Sequence, residues 1–541
     1  AKESLGWHDA LGSNLFLHVR RGDVLRAVPR DNEAVNECWL SDRDRYSHQG
    51  LYAADRATKP MLRDGGQWRE ATWDEALARA AQILRDNGAD ELGMLVHPAT
   101  SNEEGELLAR LAEALGTGNL DHRIGQQDLS GGAAAEPFAM PVADIEQADA
   151  IVIVGSNLRH ELPLLHARVR KATLRGAKVH VVNPVDFDFA FELASKAIVA
   201  PSQLAGALRG VSLAGATRPV VIVGGVAESG AQAAAIRKAA RDFASANNAA
   251  LCRIPQGANA LGLSRQGVLP RSRDARRMLA DARAAYVIYG IEPGLDFADQ
   301  GEAMRALGAA QVVAFSQFAC QSTLAVADVI LPIGLLPEND ATLTNLDGRE
   351  QRAVAAGKLP GEARAGWRVL RALGGTLGAA GFDFTELAEV RGELARTGAA
   401  RTGGADATSK QGWFQVDEAE TLEASHRAAE GAAAGNTTAG GNGLEIAASQ
   451  AIYRGDAILR RAAALQAHPL TVGARIALNP ADAQAAGLAD GAMAKVAAGQ
   501  GTATLPVAVD ARVAAGCAWI ESGYGATAPL LAAGKVEVAR A

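Results

Sequence analysis

The run Ile151-Val152-Ile153-Val154-Gly155-Ser156-Asn157 is apolar and ends in a glycine turn, with a helical stretch following Pro163. A buried strand that meets a helix N-terminus through glycine can present backbone N–H groups to a phosphate. Gly155 and Asn157 are therefore candidate cofactor contacts, and Gly224-Gly225, ahead of the helical stretch from Gly230, has the same form. Neither turn carries the full G-x-G-x-x-G spacing. Every strand-to-helix turn in an α/β fold favours Gly or Asn, so the pattern serves a turn as well as a ligand.

A second stretch is denser in polar groups. Ala327-Asp328-Val329-Ile330-Leu331-Pro332 is followed by Glu338, Thr342, Thr344, Asn345, Arg349 and Gln351. Hydroxyls, amides and a guanidinium just beyond a buried strand could line a polar crevice at its carboxyl end. They could equally satisfy one another as a buried network tying two lobes together. His160-Glu161 and His166 superficially suggest a zinc protease, but that chemistry needs two histidines four apart on one helical face. Here they are six apart with Pro163 between them, which reads as a polar helix entrance. No Ser-His-Asp spacing, nucleophile elbow or Walker loop appears, so no catalytic residue is assigned.

The four cysteines, Cys38, Cys252, Cys320 and Cys517, are far apart in 541 residues and form no C-x-x-C. That argues against a disulfide scaffold, fits a reducing compartment, and supplies no cysteine-rich zinc or iron–sulfur motif. Hydrophobic residues make up 48% and charged residues 21%, so most of the sequence can bury a core. With 54 Lys+Arg against 61 Asp+Glu the net charge is −7, which gives no general reason to bind nucleic acid or an anionic membrane. The longest apolar runs fall short of the roughly 18 residues that cross a bilayer. The N-terminal Ala-Lys-Glu-Ser has neither an initiator Met nor the zones of a signal peptide, suggesting a trimmed or partial chain.

The elements that must position these residues follow from periodicity. Leu15–Val19 and Val24–Val28, joined at Arg21-Gly22-Asp23, read as a hairpin in a β-rich unit over 1–60. Thr72-Trp73-Asp74-Glu75 offers a capping box, and Ala76, Leu77, Ala80 and Leu84 recur at helical spacing. Short apolar strands at Leu92–Val96, Ala150–Val154, Lys178–Val182, Val220–Val223, Ala285–Tyr289 and Val312–Phe315 alternate with helices such as Glu103–Leu115, Leu164–Arg175 and Gly230–Asn247. This is an α/β pattern of two doubly wound, Rossmann-like lobes built on parallel sheets. The first lobe is expected over 61–200, continued in 335–391, and the second over 201–334. Residues 392–445 are Gly/Ala-rich and read as a linker. Residues 446–541 hold short β runs between Gly-rich turns, the pattern of a small C-terminal β-barrel.

Several motifs in order carry a family resemblance. They are Asn36-Glu37-Cys38-Trp39-Leu40-Ser41-Asp42-Arg43-Asp44-Arg45-Tyr46, Arg56-x-x-Lys59-Pro60-Met61, Trp68 to Leu77, and Gly155-Ser156-Asn157 with Asn183-Pro184. Gly257-Ala258-Asn259, Gly290-Ile291-Glu292-Pro293, the Ala327 to Gln351 block and Tyr453-Arg454-Gly455-Asp456-Ala457 with Arg460-Arg461 complete the set. Together they resemble the molybdopterin-oxidoreductase-like C-terminal region of a NADH-quinone oxidoreductase family, that of the large peripheral-arm subunit of bacterial respiratory complex I. The resemblance implies a small cluster-type domain, two Rossmann-like lobes and a C-terminal double-psi barrel. In catalytic relatives an iron–sulfur cluster sits in the first domain and a bis-molybdopterin dinucleotide between the lobes.

The sequence departs from those relatives where cofactors are held. No cysteine precedes Leu15, the fourth cluster-ligand position falls on Ser41, and the Lys expected two residues later is Arg43. The stretch Asn119 to Gly131, where the molybdenum ligand belongs, has no cysteine, although Asp128 or Ser130 could ligate in principle; the usual Gly before Thr342 is Ala341. The resemblance thus implies a scaffold region of complex I with no cofactor of its own. The family's 2Fe-2S and 4Fe-4S clusters would lie in preceding domains not contained in this chain, and Gly155, Asn157, Thr344, Asn345, Arg349 and Gln351 would be vestigial. It further implies flavin-containing and iron–sulfur subunits as partners, on the cytoplasmic face of the inner membrane. The alternative is an active, formate-dehydrogenase-like molybdopterin oxidoreductase using those six residues around a pterin, with Asp128 near the metal. A generic nucleotide-binding α/β protein is a third reading.

Overall fold

The computed structural model describes residues 1–392, 394 and 443–541, so the expected 392–445 linker lies almost wholly outside the described residues. The expected hairpin forms from strands Asn14–Arg20 and Asp23–Pro29, with Lys2–Leu5 paired along the other edge of the first. Its two-residue loop, Arg21-Gly22, has φ of 55° and 91°, the positive values at both positions that type I′ hairpin turns require. Leu5, Leu15, Leu17, Val24 and Ala27 form its buried face.

Helix Trp73–Asp86 opens on the capping box, with the Thr72 hydroxyl accepting from the Glu75 N–H and the Glu75 carboxylate accepting from the Thr72 N–H. Its Ala76, Leu77, Ala80 and Leu84 are buried against the larger of two sheets. That sheet has seven strands in the order Gln67–Glu70, Met61–Asp64, Val329–Pro332, Gln311–Ser316, Ala285–Tyr289, Leu92–Val96, Leu120–Asp121. It is parallel except for the 61–70 hairpin, which joins antiparallel at one edge. The second sheet has five parallel strands in the order Ser195–Ile198, Lys178–Asn183, Ala150–Val154, Pro219–Val223, Ala250–Arg253. Two of its inner strands, Ala150–Val154 and Pro219–Val223, are buried along their whole length, as an apolar run covered by helices on both faces must be.

The expected lobe limits are corrected by this pairing. Segment 61–200 is split, with strands up to Asp121 in the seven-stranded sheet and Ala150–Ile198 in the five-stranded one. Segment 201–334 is split in turn, since Pro219–Val223 and Ala250–Arg253 stay with the smaller sheet while Ala285 onward returns to the larger. One lobe is thus an insertion in the other. The physical reason is that apolar parallel strands of four to six residues are interchangeable in periodicity, and membership of a sheet is decided by the neighbour each one meets.

Residues 444–540 close a barrel in the order Leu444–Gln450, Cys517–Ser522, Ile476–Leu478, Gly501–Val509, Met493–Ala498, Lys535–Arg540. Within it, burial pushes the Glu521 carboxyl up to about 7, with Arg475 opposing, and its Oε2 has no hydrogen-bond partner among the described residues. A carboxyl raised above its unfolded value contributes its full stability below that value and loses it as pH rises through about 7. Glu521→Gln is therefore expected to stay close to the parent at pH 5 and exceed it by about 2–3 kcal/mol at pH 8. Amide hydrogen exchange in the barrel strands of both proteins at the two pH values checks this.

Candidate functional site

A cavity of about 230 Å³ lies where the first domain, both lobes and the barrel segment meet. Trp7 and His8 reach it from the first domain, His97 and His122 from the larger lobe, Asn157, His160, Glu161 and Gly225 from the inserted lobe, and Arg454, Asp456 and Arg460 from the C-terminal segment. It is the crevice at the carboxyl ends of parallel strands where α/β folds place ligands.

The inserted lobe supplies the expected glycine turns, and both are already engaged. Gly155 has φ +54°, and a Cβ there would lie 2.5 Å from the Ala227 Cβ, so the glycine serves a left-handed turn and a close approach within the lobe. The Glu161 carboxylate reaches into the second turn, accepting from the Gly225 N–H and, at 2.6 Å, from the Ser156 hydroxyl. An internal carboxyl group thus takes a backbone amide that a phosphate would use. Burial holds the Glu161 carboxyl above the usual range despite these donors. Asn157 is buried at the crevice wall.

In the block after strand Val329–Pro332, Thr342, Thr344 and Asn345 hydrogen-bond to buried partners, while Gln351 Oε1 has none among the described residues. Asn102 Nδ2 donates to the hydroxyls of Thr342 and Thr344, each at 3.2 Å, and Asn259 Oδ1 accepts from the Thr344 N–H at 2.7 Å. Asn345 Oδ1 accepts from the N–H groups of Asp347 and Arg349, and its Nδ2 donates to the Leu11 carbonyl. Gln351 Oε1 faces Gly12, where a Cβ would come within 2.2 Å. Thr344, Asn345, Arg349 and Gln351 are not among the residues around the cavity. Of the six candidate contacts, Asn157 alone lines it.

The cluster position fares similarly. The Ser41 hydroxyl accepts from the Asp44 N–H to cap helix Asp42–Tyr46 and donates to the Asp44 carboxylate at 2.8 Å. Burial, with Asp9 adding to it, raises the Asp44 carboxyl to about 6. Arg43 pairs with Asp9 at 2.7 Å and donates to the Glu161 carbonyl, joining the first domain to the inserted lobe. A four-iron cluster needs cysteine thiolates, and residues 1–49 offer one, the exposed Cys38. The other three are buried elsewhere, and no group of three or more His, Cys, Asp or Glu could hold a metal among the described residues. Asp128 is committed too, its Oδ1 accepting from Ser130 and its Oδ2 from the Ala234 N–H beside helix Ala233–Ala246. The donor set does not fit a cluster.

Periodicity gave no hint of His8, His122 or Asp456, which come together from distant parts of the sequence. His160 and Glu161 were visible there, but their helix-entrance reading missed the carboxylate's reach to Gly225. His166 packs away from the crevice against Phe189 and Phe191.

Comparison with known proteins agrees with this architecture. Residues 56–376 match the molybdopterin oxidoreductase family, residues 457–538 the molydopterin dinucleotide binding domain, and residues 1–49 the NADH-ubiquinone oxidoreductase NDSU1/NuoG-like, 4Fe-4S domain. The chain is 32% identical over 407 residues to the mitochondrial NADH-ubiquinone oxidoreductase 78 kDa subunit of Candida albicans, covering 73% of this chain and 55% of that protein. It is 31% identical to the Neurospora crassa 78 kDa subunit, covering 72% and 53%, and 28% identical to a NADH-quinone oxidoreductase subunit of Rickettsia felis, covering 73% and 58%. The chain therefore spans little more than half the length of these curated relatives. Acetylene hydratase from Pelobacter acetylenicus shares the fold, with a TM-score of 0.67 at 14% identity over 100% of both chains. No helix among the described residues is long and apolar enough to cross a membrane. The chain belongs to the molybdopterin oxidoreductase family, and the curated proteins it resembles are NADH-ubiquinone and NADH-quinone oxidoreductase subunits.

Proposed function

We propose that this chain is a structural region of a peripheral-arm subunit of proton-pumping NADH:quinone oxidoreductase, complex I, holding no cluster or molybdenum cofactor of its own. The observation that carries this is the donor set: Ser41 in place of a cluster ligand, one cysteine in residues 1–49, and the Glu161 carboxylate in the glycine turn of the crevice. The fold then supports electron transfer from NADH to quinone by holding neighbouring subunits, the flavin-containing and iron–sulfur ones, on the cytoplasmic side of the membrane. Redox chemistry belongs to domains and partners outside this chain. The formate-dehydrogenase-like reading needs a pterin where the turn amide is already taken and a metal ligand where Asp128 is capping. Elemental analysis of the purified protein is expected to find iron and molybdenum far below one per chain, and tagged protein is expected to bring down the other peripheral-arm subunits from solubilised membranes. Stoichiometric molybdenum with extractable pterin would overturn the proposal.

A further inference from the structure

Trp39 and Leu174 are the two most exposed large apolar side chains among the described residues, at 58% and 72%. A single exposed apolar side chain is ordinary, but two at one seam mark a contact surface. They belong to different domains and share such a seam. Arg168 of helix Pro163–Leu174 donates to the Glu33 and Val35 carbonyls at 2.7 and 3.1 Å, and Lys171, one turn on, pairs with the Glu37 carboxylate. Leu174 follows Lys171 by three positions and so lies on the same helical face. Trp39 follows Glu37 by two residues, at most about 7 Å of chain. Glu37 has φ +51°, a left-handed conformation uncommon outside glycine, and it is closed by reciprocal backbone bonds with Asn32 at 2.8 Å each. The Trp39 N–H donates to the Asn36 carbonyl at 2.9 Å, so the turn is fixed while Trp39 stays exposed.

The charges beside these two side chains are cationic toward solvent. Arg170, one turn before Leu174, and Arg175 and Lys178 just after it are all exposed. Arg170 donates only to the Ala190 carbonyl, and neither it nor Lys178 has a carboxylate within ion-pair distance among the described residues. Arg168, Lys171 and Arg175 share one carboxylate, Glu146, at 2.7, 3.2 and 3.4 Å, and that side chain is only 12% exposed. Cations in the last turn of a helix also complement its dipole, but this accounts for neither Leu174 nor Trp39. We infer that the seam docks an acidic segment of another protein, with carboxylates on Arg170, Lys171, Arg175 and Lys178 and an apolar side chain on Trp39 and Leu174. Trp and Arg are the side chains that dominate contact energies at interfaces. With a net charge of −7 the chain as a whole repels an anionic lipid surface, which favours a protein segment that meets the cations locally. The inference deepens the scaffold reading, and rests on it, by naming one face and the chemistry that face accepts.

Cys38, beside Trp39, is exposed while the other three cysteines are buried, so a benzophenone maleimide labels the seam without any substitution. The tagged, labelled chain is mixed with solubilised membranes from cells lacking it and irradiated, and the cross-linked peptide is sequenced. The expected product joins Cys38 to a segment of a peripheral-arm subunit rich in Asp and Glu. Its yield should fall roughly tenfold when Arg170→Glu, Arg175→Glu and Lys178→Glu are combined. It should also fall in about 1 M salt, where the screening length shrinks to about 3 Å. Should the triple variant fail to fold, Leu174→Asp, a change at a 72% exposed site, is expected to lower the yield by itself. Absence of a cross-link, cross-linking to lipid, to a second copy of this chain or to a segment without clustered acids, or an unchanged yield in folded variants overturns the docking face alone. Failure of the tagged parent to bring down any peripheral-arm subunit overturns the scaffold reading, and the docking face with it.

Discussion

Replacing Glu228 by alanine is expected to cost about 5 kcal/mol, the upper end of what removing one partner of a buried ion pair costs. Glu228 Oε2 lies 3.0 Å from Arg237 Nη1, and Oε1 lies 2.7 Å from Arg253 Nε, with side-chain exposures of 2% for Glu228, 0% for Arg237 and 5% for Arg253. One carboxylate thus neutralises two buried guanidiniums. Arg237 further donates to the carbonyls of Asp128 and Ser130, which hold hydrogen bonds but supply no countercharge, and Arg253 keeps a longer contact to the partly exposed Glu136. Because the chain has several units, one unfolding curve would blend them. Amide hydrogen exchange in strand Pro219–Val223 isolates the inserted lobe, and its protection should fall by the stated amount while the barrel strands keep theirs. Unchanged protection would show that the two arginines find compensation elsewhere.

The second large effect is expected at Arg56. Its guanidinium forks onto Glu338 through two bonds, Nη1 to Oε1 at 2.9 Å and Nη2 to Oε2 at 2.7 Å, and donates to the Leu51 and Gln317 carbonyls. Both side chains are under 5% exposed. The pair ties the first domain to the end of strand Gln311–Ser316 and to the returning segment at Leu336–Glu338. Glu338→Ala should cost about 3–5 kcal/mol by leaving the guanidinium uncompensated, while the double change Arg56→Met with Glu338→Leu should recover most of that loss. Amide hydrogen exchange in strand Gln311–Ser316 reports it, and a double variant no better than the single would show that the fork is worth more than its desolvation costs. The same physics extends to Arg461, which bridges Asp55 and Glu292.

Legibility differed sharply between elements and site. The capping box at Thr72 and Glu75, the hairpin turn at Arg21-Gly22 and the apolar strands appear close to their expected limits, because each depends on local periodicity and turn chemistry. The lobe limits do not, since Ala150–Val154 and Leu92–Val96 are equally apolar and nothing local says which sheet each joins. Thr344, Asn345 and Gln351 lie beyond a strand end as their sequence implies, yet spacing alone left open whether they meet a ligand or one another. The partners of Thr344 and Asn345, namely Asn102, Asn259 and Leu11, are far away in sequence or in a different domain.

By itself the sequence determined that cysteines are few and scattered, four in all, with Cys38 alone in residues 1–49. It also determined the α/β alternation and the β-rich C-terminal unit, because hydrophobic period is a local property. Only the tertiary structure decided what fills the crevice walls. His8 meets Asp456 across 448 positions and Glu161 meets Gly225 across 64. Such pairings follow from how sheets and domains pack, where burial and charge compensation act between residues that share no local pattern.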